Sequence, residues 1–418
     1  MSNRLHQSEE VFGSITPSSA YIHIPFCRRR CYYCDFPVSV VGDKATGSTS
    51  GTIEQYIEVL SQEIEATPRL SRELQTVFFG GGTPSLLSVE QLKHILEILE
   101  QRFGIGSGAE ISMEMDPGTF SLEQLKGYQE AGVNRVSLGV QAFQDELLNA
   151  CGRSHNSIDI FAAIELLHQV EISDFSLDLI SGLPHQTLQQ WQESLETAAN
   201  LAPIHISCYD LVIEPVTAFG RQYAPGVKPL PTDETAAKMY RLAQHILTSA
   251  GYEHYEISNY ALPGKACRHN RVYWENRPYY GFGMGAASYV QGYRFTRPRT
   301  RREYYAWVQQ LIDAGGVLDS PETSAADILL ETLMLGLRLA EGLSLDKLRN
   351  QFGEKTLKEI WTSLQPHYRR GWVEVLNASG EAVEDTQAVP TTGQLRLSDP
   401  EGFLFSNTVL ADLFSQLS

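Results

Sequence analysis

An open (β/α)6 barrel, a partial TIM barrel, followed by a C-terminal, mostly helical winged-helix-like domain is the α/β fold this sequence predicts, on three observations. Short apolar, β-branched runs alternate with helix-period segments up to residue 250. Such alternation implies a parallel sheet with crossover helices. It yields six strand–helix units, too few to close an eight-stranded barrel. Beyond Pro321 the alternation stops, and helices followed by a β-ribbon replace it.

Residues 1–18 are polar and are expected to form a disordered lead-in; the barrel is expected over 19–250. A strand over 21–24 ends at Pro25, a cysteine-bearing loop follows, and the small polar residues of 42–52 predict an exposed loop. Ile53, Ile57, Leu60 and Ile64 recur at helical spacing and predict a helix over 53–65. Strands at 76–79, 111–115, 135–140, 175–180 and 205–211 alternate with helices at 89–103, 122–131, up to 170, 188–200 and 233–250. Gly132 and Gly251 act as helix stops. Residues 251–320 are predicted to be an appended strand-and-loop region, rich in Tyr, Trp, Gly and Asn up to about Arg297. The C-terminal domain, 321–418, is predicted as helices at 325–340, 344–352 and 354–367. A ribbon of 372–376 and 395–397 follows, around a polar loop at 377–393, and then a last helix over 400–417.

A hydrophobic content of 42% with 20% charged residues is ordinary for a globular chain that buries a large core. The net charge of −17 argues against a nucleic-acid backbone or an anionic membrane surface as the main partner. Arg28, Arg29 and Arg30 are a local basic exception, either solvated or anion-binding. Six cysteines, three of them clustered, make no disulfide framework and fit a reducing compartment. The N-terminus lacks the apolar core of a signal peptide, and no run approaches the ~18 apolar residues of a membrane span. A cytoplasmic location is therefore expected.

The chemistry concentrates in Cys27-x-x-x-Cys31-x-x-Cys34, just past the first strand. Three thiolates on one loop can hold three corners of a four-iron, four-sulfur cube. The fourth iron then lacks a cysteine and stays open to a ligand, by the logic that separates open from closed zinc sites. Two other readings compete. A closed zinc site would want a second ligand pair some 12–20 residues away, whereas the next cysteine is Cys151. A redox CxxC would use only two of the three thiols.

The string Tyr21-x-His23-x-Pro25-Phe26-Cys27, with the aromatic Tyr33 before Cys34-Asp35-Phe36, resembles the radical S-adenosylmethionine (SAM) proteins, and within them the oxygen-independent coproporphyrinogen III oxidase family. It is most similar to that family's haem chaperone branch. The resemblance continues through Gly80-Gly-Gly-Thr-Pro84, Ser137-Leu-Gly-Val-Gln141, Asp178-Leu-Ile-Ser-Gly-Leu-Pro184 and His269-Asn-Arg-Val-Tyr-Trp274. It implies a radical SAM barrel, the fold already predicted, and a [4Fe-4S] cluster on Cys27, Cys31 and Cys34. It further implies that Gly81, Gly82 and Thr83 contact the methionine ammonium of SAM, with Glu114, Tyr21 and Tyr33 completing that site. Gln141, Arg153 and Asp178 match residues that bind a second SAM in the oxidase members. On chemistry alone they are a guanidinium and an acid suited to an amino-acid head group, with a mutual salt bridge as the plainer alternative. His269 matches a segment associated with haem, with Cys267, His254 and Tyr255 as competing ligands and a purely structural histidine as the plainer reading.

The resulting expectation is a haem chaperone that binds haem, a [4Fe-4S] cluster and SAM and delivers haem to acceptor proteins, with an electron donor serving the cluster. Peripheral contact with membrane-bound acceptors and a homodimeric state are compatible with it, and no nucleic acid is expected. The alternative is oxidative decarboxylation of coproporphyrinogen III to protoporphyrinogen IX. The decarboxylating members resemble CxxxCxxCxC and carry a longer leader, whereas this chain has Asp35-Phe36 and 26 residues before Cys27. Radical methyl transfer would use the same core, but nothing marks a methyl acceptor.

Overall fold

The computed structural model describes residues 16–43, 46–70, 73–317, 323–383, 390 and 392–417. The lead-in predicted over 1–18 therefore lies outside the described residues up to residue 15, as does part of the polar loop at 377–393.

Thr16–Ala250 and Pro278–Pro321 form one compact unit. Six strands, β1 (Ser19–Ile24), β2 (Leu74–Gly81), β3 (Ile105–Met115), β4 (Arg135–Gln141), β5 (Phe175–Ser181) and β6 (His205–Asp210), lie side by side in chain order, all parallel. Between and after them run α1 (Gly51–Ala66), α2 (Val89–Phe103), α3 (Leu122–Glu130), α4 (Ser157–Gln169), α5 (Leu188–Asn200) and α6 (Asp233–Ser249). This is the predicted open barrel. β2 and β3 outrun the predicted strands because backbone pairs such as Thr76↔Glu110 continue past the apolar stretch. Ser88, Ser121, Asn156 and Thr187 each form a reciprocal capping box with the residue three places on, which fixes where α2 to α5 begin.

Alternation along the strands separates two faces. Val77, Phe79, Met113, Met115, Val136, Leu138, Leu177 and Leu179 are buried and take one parity. They form the layer on which the apolar faces of the helices lie, Leu92, Ile95, Leu99 and Phe103 of α2 among them. The other parity is polar and mutually bonded: Ser176 Oγ donates to Ser137 Oγ (2.8 Å), and Ser137 Oγ donates to Asp178 Oδ2 (2.8 Å). The two parities predict a dry outer layer and a polar lumen, and the lumen is where the motifs sit.

The region expected as one appendage over 251–320 divides. From Pro278 onward it belongs with the barrel, because strand Tyr280–Phe282 pairs in parallel with the free edge of β1, Ala20 opposite Tyr280. Tyr280 and Phe282 also pack on Phe103, ring centroids 4.7 and 5.8 Å away. A buried polar cluster fixes this return segment to α1. Glu63, fully buried, accepts from Arg297 Nε (2.7 Å), Tyr304 Oη (2.6 Å) and the amide of Gly283 (2.8 Å). Tyr56 Oη donates to the carbonyl of His23 at 2.7 Å, next to the cysteine loop.

The other unit joins Gly251–Arg277 to Glu322–Ser418. The hairpin Glu253–Glu256/Asn259–Ala261 and helix Arg268–Trp274 belong with the C-terminal helices, so a boundary at 321 does not isolate that unit. Glu256, fully buried, is ion-paired with Arg338, whose guanidinium lies 4.5 Å from the Trp274 ring centroid. His254 contacts Asp399 at 2.8 Å. Helices Ala325–Gly336 and Leu345–Arg369 are followed by Val373–Leu376 and Gln394–Leu397, antiparallel, with Leu343–Ser344 as an unpredicted third strand. Gly353, at φ 85°, breaks the long helix where two helices were predicted.

Arg297→Met leaves the Glu63 carboxylate buried without its counter-charge, a change that costs about 3–5 kcal/mol. Equilibrium denaturation of the barrel is expected to show a loss of that order. An unfolding midpoint equal to that of the unaltered protein would remove the cluster from the account of what holds the return segment.

Candidate cofactor site at the barrel mouth

β1 ends at Ile24 and β2 at Gly81, and the cysteine loop is stitched to both. The amides of Gly82 and Thr83 donate to the carbonyls of Ile24 (2.8 Å) and Phe26 (2.7 Å). Ser39 N reaches Pro25 O and Val41 N reaches Cys27 O, closing the loop on itself. Tyr32 is held from both sides: its amide donates to Cys151 O (3.0 Å), and its carbonyl accepts from Phe219 N (2.9 Å). Arg299 donates to Asp35 O at 2.7 Å. The three loop arginines are not free. Arg28 donates to Gly118 O, Arg29 pairs with Asp43, and Arg30 donates to the carbonyls of Cys34 and Phe36. They brace the loop, which neither predicted alternative captured.

Cys27, Cys31 and Cys34 are free and half-buried. Burial pushes the Cys27 thiol up to about 12 and raises Cys34 as well. Ligation to a metal supplies the positive charge that would deprotonate them. Among the described residues no three His, Cys, Asp or Glu side chains gather around a single-ion position. A cube does not require that, since each thiolate binds a different iron. Cys151, remote in sequence, lies against the loop through its carbonyl. Its own thiol is buried and pushed up to about 12 by that burial.

The Gly-Gly-Gly-Thr segment is glycine-rich because its neighbours are already there. A Cβ on Gly81, at φ +111°, would stand 2.4 Å from the His23 ring, and one on Gly82 would stand 2.7 Å from Phe26 O. His23 accepts at Nδ1 from Tyr21 Oη (3.0 Å) and donates from Nε2 to Pro37 O (3.1 Å). Burial holds it neutral, pushed down to about 4. His23 was passed over as a functional residue, yet it positions both Tyr21 and the segment after the cysteines.

Glu114 accepts from Gly81 N at 3.0 Å. Burial, reinforced by Asp178 and Asp116 and opposed by that amide, pushes it up to about 8. Asp178 Oδ1 is buried without a hydrogen-bond partner, and so is Arg153 Nε. Buried orphaned polar atoms are uncommon and point to a missing partner. Asp178 is itself raised by burial. The Arg153–Asp178 salt bridge, the plainer alternative, does not form. Arg153 instead pairs with Asp116 (2.5 Å), which also accepts from Thr83 Oγ1 (3.1 Å). Asp116 is the residue the sequence reading missed, although Asp-Pro directly after a strand was a visible signal. Gln141 ends β4 at φ +67°, a strained position for a non-glycine, beside a break in the β4–β5 register. The structure thus brings Tyr21, Gly81, Gly82, Thr83, Glu114, Gln141, Arg153 and Asp178 to the lumen and mouth of one barrel, with Tyr33 and the three cysteines on the loop after β1; Asp178, read from sequence as a strand-end residue, sits in the middle of β5. The donor set fits the implied groups: thiols for iron, buried acids for an ammonium.

His269 lies in the other unit, on helix Arg268–Trp274. It is fully buried, its Nε2 is 2.9 Å from Tyr273 Oη, and burial pushes it down to about 3. Tyr273 meets it edge-on at 5.1 Å. Cys267, Tyr255 and His254, the competing ligands, are buried too. In this conformation the motif is a packed structural element, the plainer of the predicted alternatives.

The profile of the Radical SAM superfamily matches residues 21–198, and that of the HemN C-terminal domain matches 323–376. The chain is 46% identical over 404 residues to the haem chaperone HemW of Synechocystis sp., covering 96% of this chain and 98% of the relative. It is 37% identical to the haem chaperone HemW of Bacillus subtilis, covering 80% and 87%. The coproporphyrinogen III oxidase HemN of Escherichia coli, described as a radical SAM enzyme, superposes with a TM-score of 0.77 at 22% identity, covering 99% of this chain and 93% of that one. At that identity the likeness shows the fold alone. Barrel, loop and profile define a radical SAM protein. Within that class the chain belongs to the HemW family. Among the described residues no helix is long and apolar enough to cross a membrane.

A raised carboxyl favours the folded state only while protonated, so its contribution is complete below about pH 4.5 and is lost as pH rises toward about 8. Glu114→Gln abolishes that loss. The stability of metal-free wild type relative to Glu114→Gln is expected to fall by a few kcal/mol between pH 4.5 and 8, read from denaturation midpoints. Parallel pH profiles for the two proteins would refute the buried-acid description.

Proposed function

We propose that this chain is a haem chaperone: it binds haem and a [4Fe-4S] cluster with SAM, and it delivers haem to acceptor proteins. The observation that carries this reading is 46% identity across nearly the whole chain to a relative named as a haem chaperone. Cys27, Cys31 and Cys34 hold the cluster. When bound, cluster and SAM supply one-electron chemistry, with reducing electrons drawn from a donor protein.

Around that group the chain's own residues bind and orient. The amides of Gly81, Gly82 and Thr83 are already committed, so the segment can offer an ammonium only carbonyl and hydroxyl oxygens, which are what an ammonium needs. Glu114, which burial keeps protonated when the site is empty, ionises when a cation is placed beside it, its proton passing to solvent. Tyr21 and Tyr33 flank the same space. Gln141, Arg153 and Asp178 form the second polar set, in which Asp178 faces only the hydroxyls of Ser137 and Ser207 and no full positive charge is paired with it. Haem is assigned to the His269 segment, where ligation by His269 requires Tyr273 to move aside. A cytoplasmic location and membrane-associated acceptors fit the reading.

Anaerobic isolation is expected to give about four irons and four sulfides per chain. Cys27→Ala, Cys31→Ala and Cys34→Ala should abolish the cluster, while Cys151→Ala and Cys208→Ala should retain it. Haem titration should give a saturating Soret band, weakened or shifted in His269→Ala. Unchanged binding in His269→Ala with loss in Cys267→Ala would transfer ligation to the thiolate. No saturable haem binding, or conversion of coproporphyrinogen III to protoporphyrinogen by the loaded protein, would overturn the chaperone reading.

A further inference from the structure

Arg153 is the hub of a connected chain of polar contacts that reaches a cluster-loop sulfur. Its side chain is 7% exposed. Nη2 is anchored by Asp116 Oδ1 (2.5 Å) and the carbonyl of Gly139 (3.1 Å). Nη1 is thereby aimed at Cys31 Sγ (3.3 Å), with Tyr33 Oη at 3.5 Å. The other oxygen of Asp116 accepts from Thr83 Oγ1 at 3.1 Å. Gly152, next in the chain, sits under Tyr32 so closely that a Cβ there would stand 2.9 Å from its ring. The Arg153 backbone is therefore packed against the same loop its side chain reaches. A guanidinium stays charged under all ordinary conditions. Burial leaves its field on the sulfur poorly screened.

N–H···S bonds and nearby charge are among the determinants of the reduction potential of an iron–sulfur cluster. Reduction adds one electron to the cluster from an external donor and forms no bond. A positive group on a ligating sulfur stabilises the reduced form, and a negative group behind it offsets that effect. We propose that Arg153 sets the reduction potential of the cluster through Cys31, and that Asp116 governs how much of the Arg153 charge the sulfur experiences. The proposal rests on the reading that Cys27, Cys31 and Cys34 carry a [4Fe-4S] cluster. It gives Arg153 a role distinct from gripping a ligand's carboxylate, since both terminal nitrogens are engaged within the protein.

The test is a redox titration of the anaerobically reconstituted full chain, without SAM, followed by electron paramagnetic resonance of the reduced cluster. Arg153→Met is expected to move the potential more negative, and Asp116→Asn to move it less negative. Arg153→Lys, which keeps the charge but not the fork, should fall between wild type and Arg153→Met. Shifts of opposite sign are what a merely structural role would not produce. Equal potentials in wild type and Arg153→Met, or shifts of the same sign in Arg153→Met and Asp116→Asn, would overturn the proposal. If Arg153→Met does not retain a cluster, Arg153→Lys and Asp116→Asn decide it by the same signs. A wild type that forms no four-iron cluster would instead sink the underlying reading, a result visible before any variant is compared.

Discussion

Three thiolates from one short loop can occupy only three corners of a four-iron cube, and that shortage orders the rest of the barrel mouth. A loop proposed to carry three metal ligands must hold its shape with little help from regular structure, because Cys27 to Cys34 contains none beyond the edge of a two-residue strand. The shape comes from outside. The Gly82 and Thr83 amides fasten its start, Cys151 O and Phe219 N fasten Tyr32, and Arg299 fastens its end. Of the loop's own arginines, Arg30 closes the carbonyls of Cys34 and Phe36, Arg28 reaches the carbonyl of Gly118, and Arg29 pairs with Asp43. The polar lumen then presents Glu114 near the end of β3 and Asp178 in the middle of β5, where burial raises both. Those are poor places for carboxylates in an empty site and good ones beside a bound cation.

The return segment extends the same logic. An open six-stranded barrel leaves the edge of β1 unpaired, and a free edge invites unwanted pairing. Strand Tyr280–Phe282 covers it, and the Glu63–Arg297–Tyr304 cluster holds the cover in place. Because Tyr56 ties that cluster to the His23 carbonyl, the edge cover and the cysteine loop share a support. The mouth therefore depends on residues well over two hundred positions from the cysteines.

Local signals made much of this legible. The six strands and their helices followed from periodicity, and the capping boxes sat where the sequence showed Ser, Thr or Asn three places before Gln or Asp. The cysteine spacing alone left a zinc site and a redox pair as rivals, and the flanking motifs favoured the cluster loop. What the sequence concealed was pairing between distant segments. Arg153 was set against Asp178, but only the folded barrel shows that Asp116 lies between β3 and the turn carrying Arg153. Glu63 and Arg297, 234 residues apart, left no trace in any local pattern. The division of 251–320 was hidden for the same reason, since strand Tyr280–Phe282 is defined by its partner. The burial of His269 did have a signal: Tyr273 stands four residues on, on the same helical face, and a bond between the two was predictable from spacing.

On the proposed reading, Cys27, Cys31 and Cys34 leave one iron of the cluster without a cysteine, and the amino group of the bound SAM is the ligand expected at that open position. Electron–nuclear double resonance of the reduced, cluster-loaded protein with SAM labelled with nitrogen-15 in its amino group tests this most directly. The account predicts a nitrogen-15 coupling that is absent with unlabelled SAM. Identical spectra with labelled and unlabelled SAM, at concentrations where SAM binding is saturated, would contradict it.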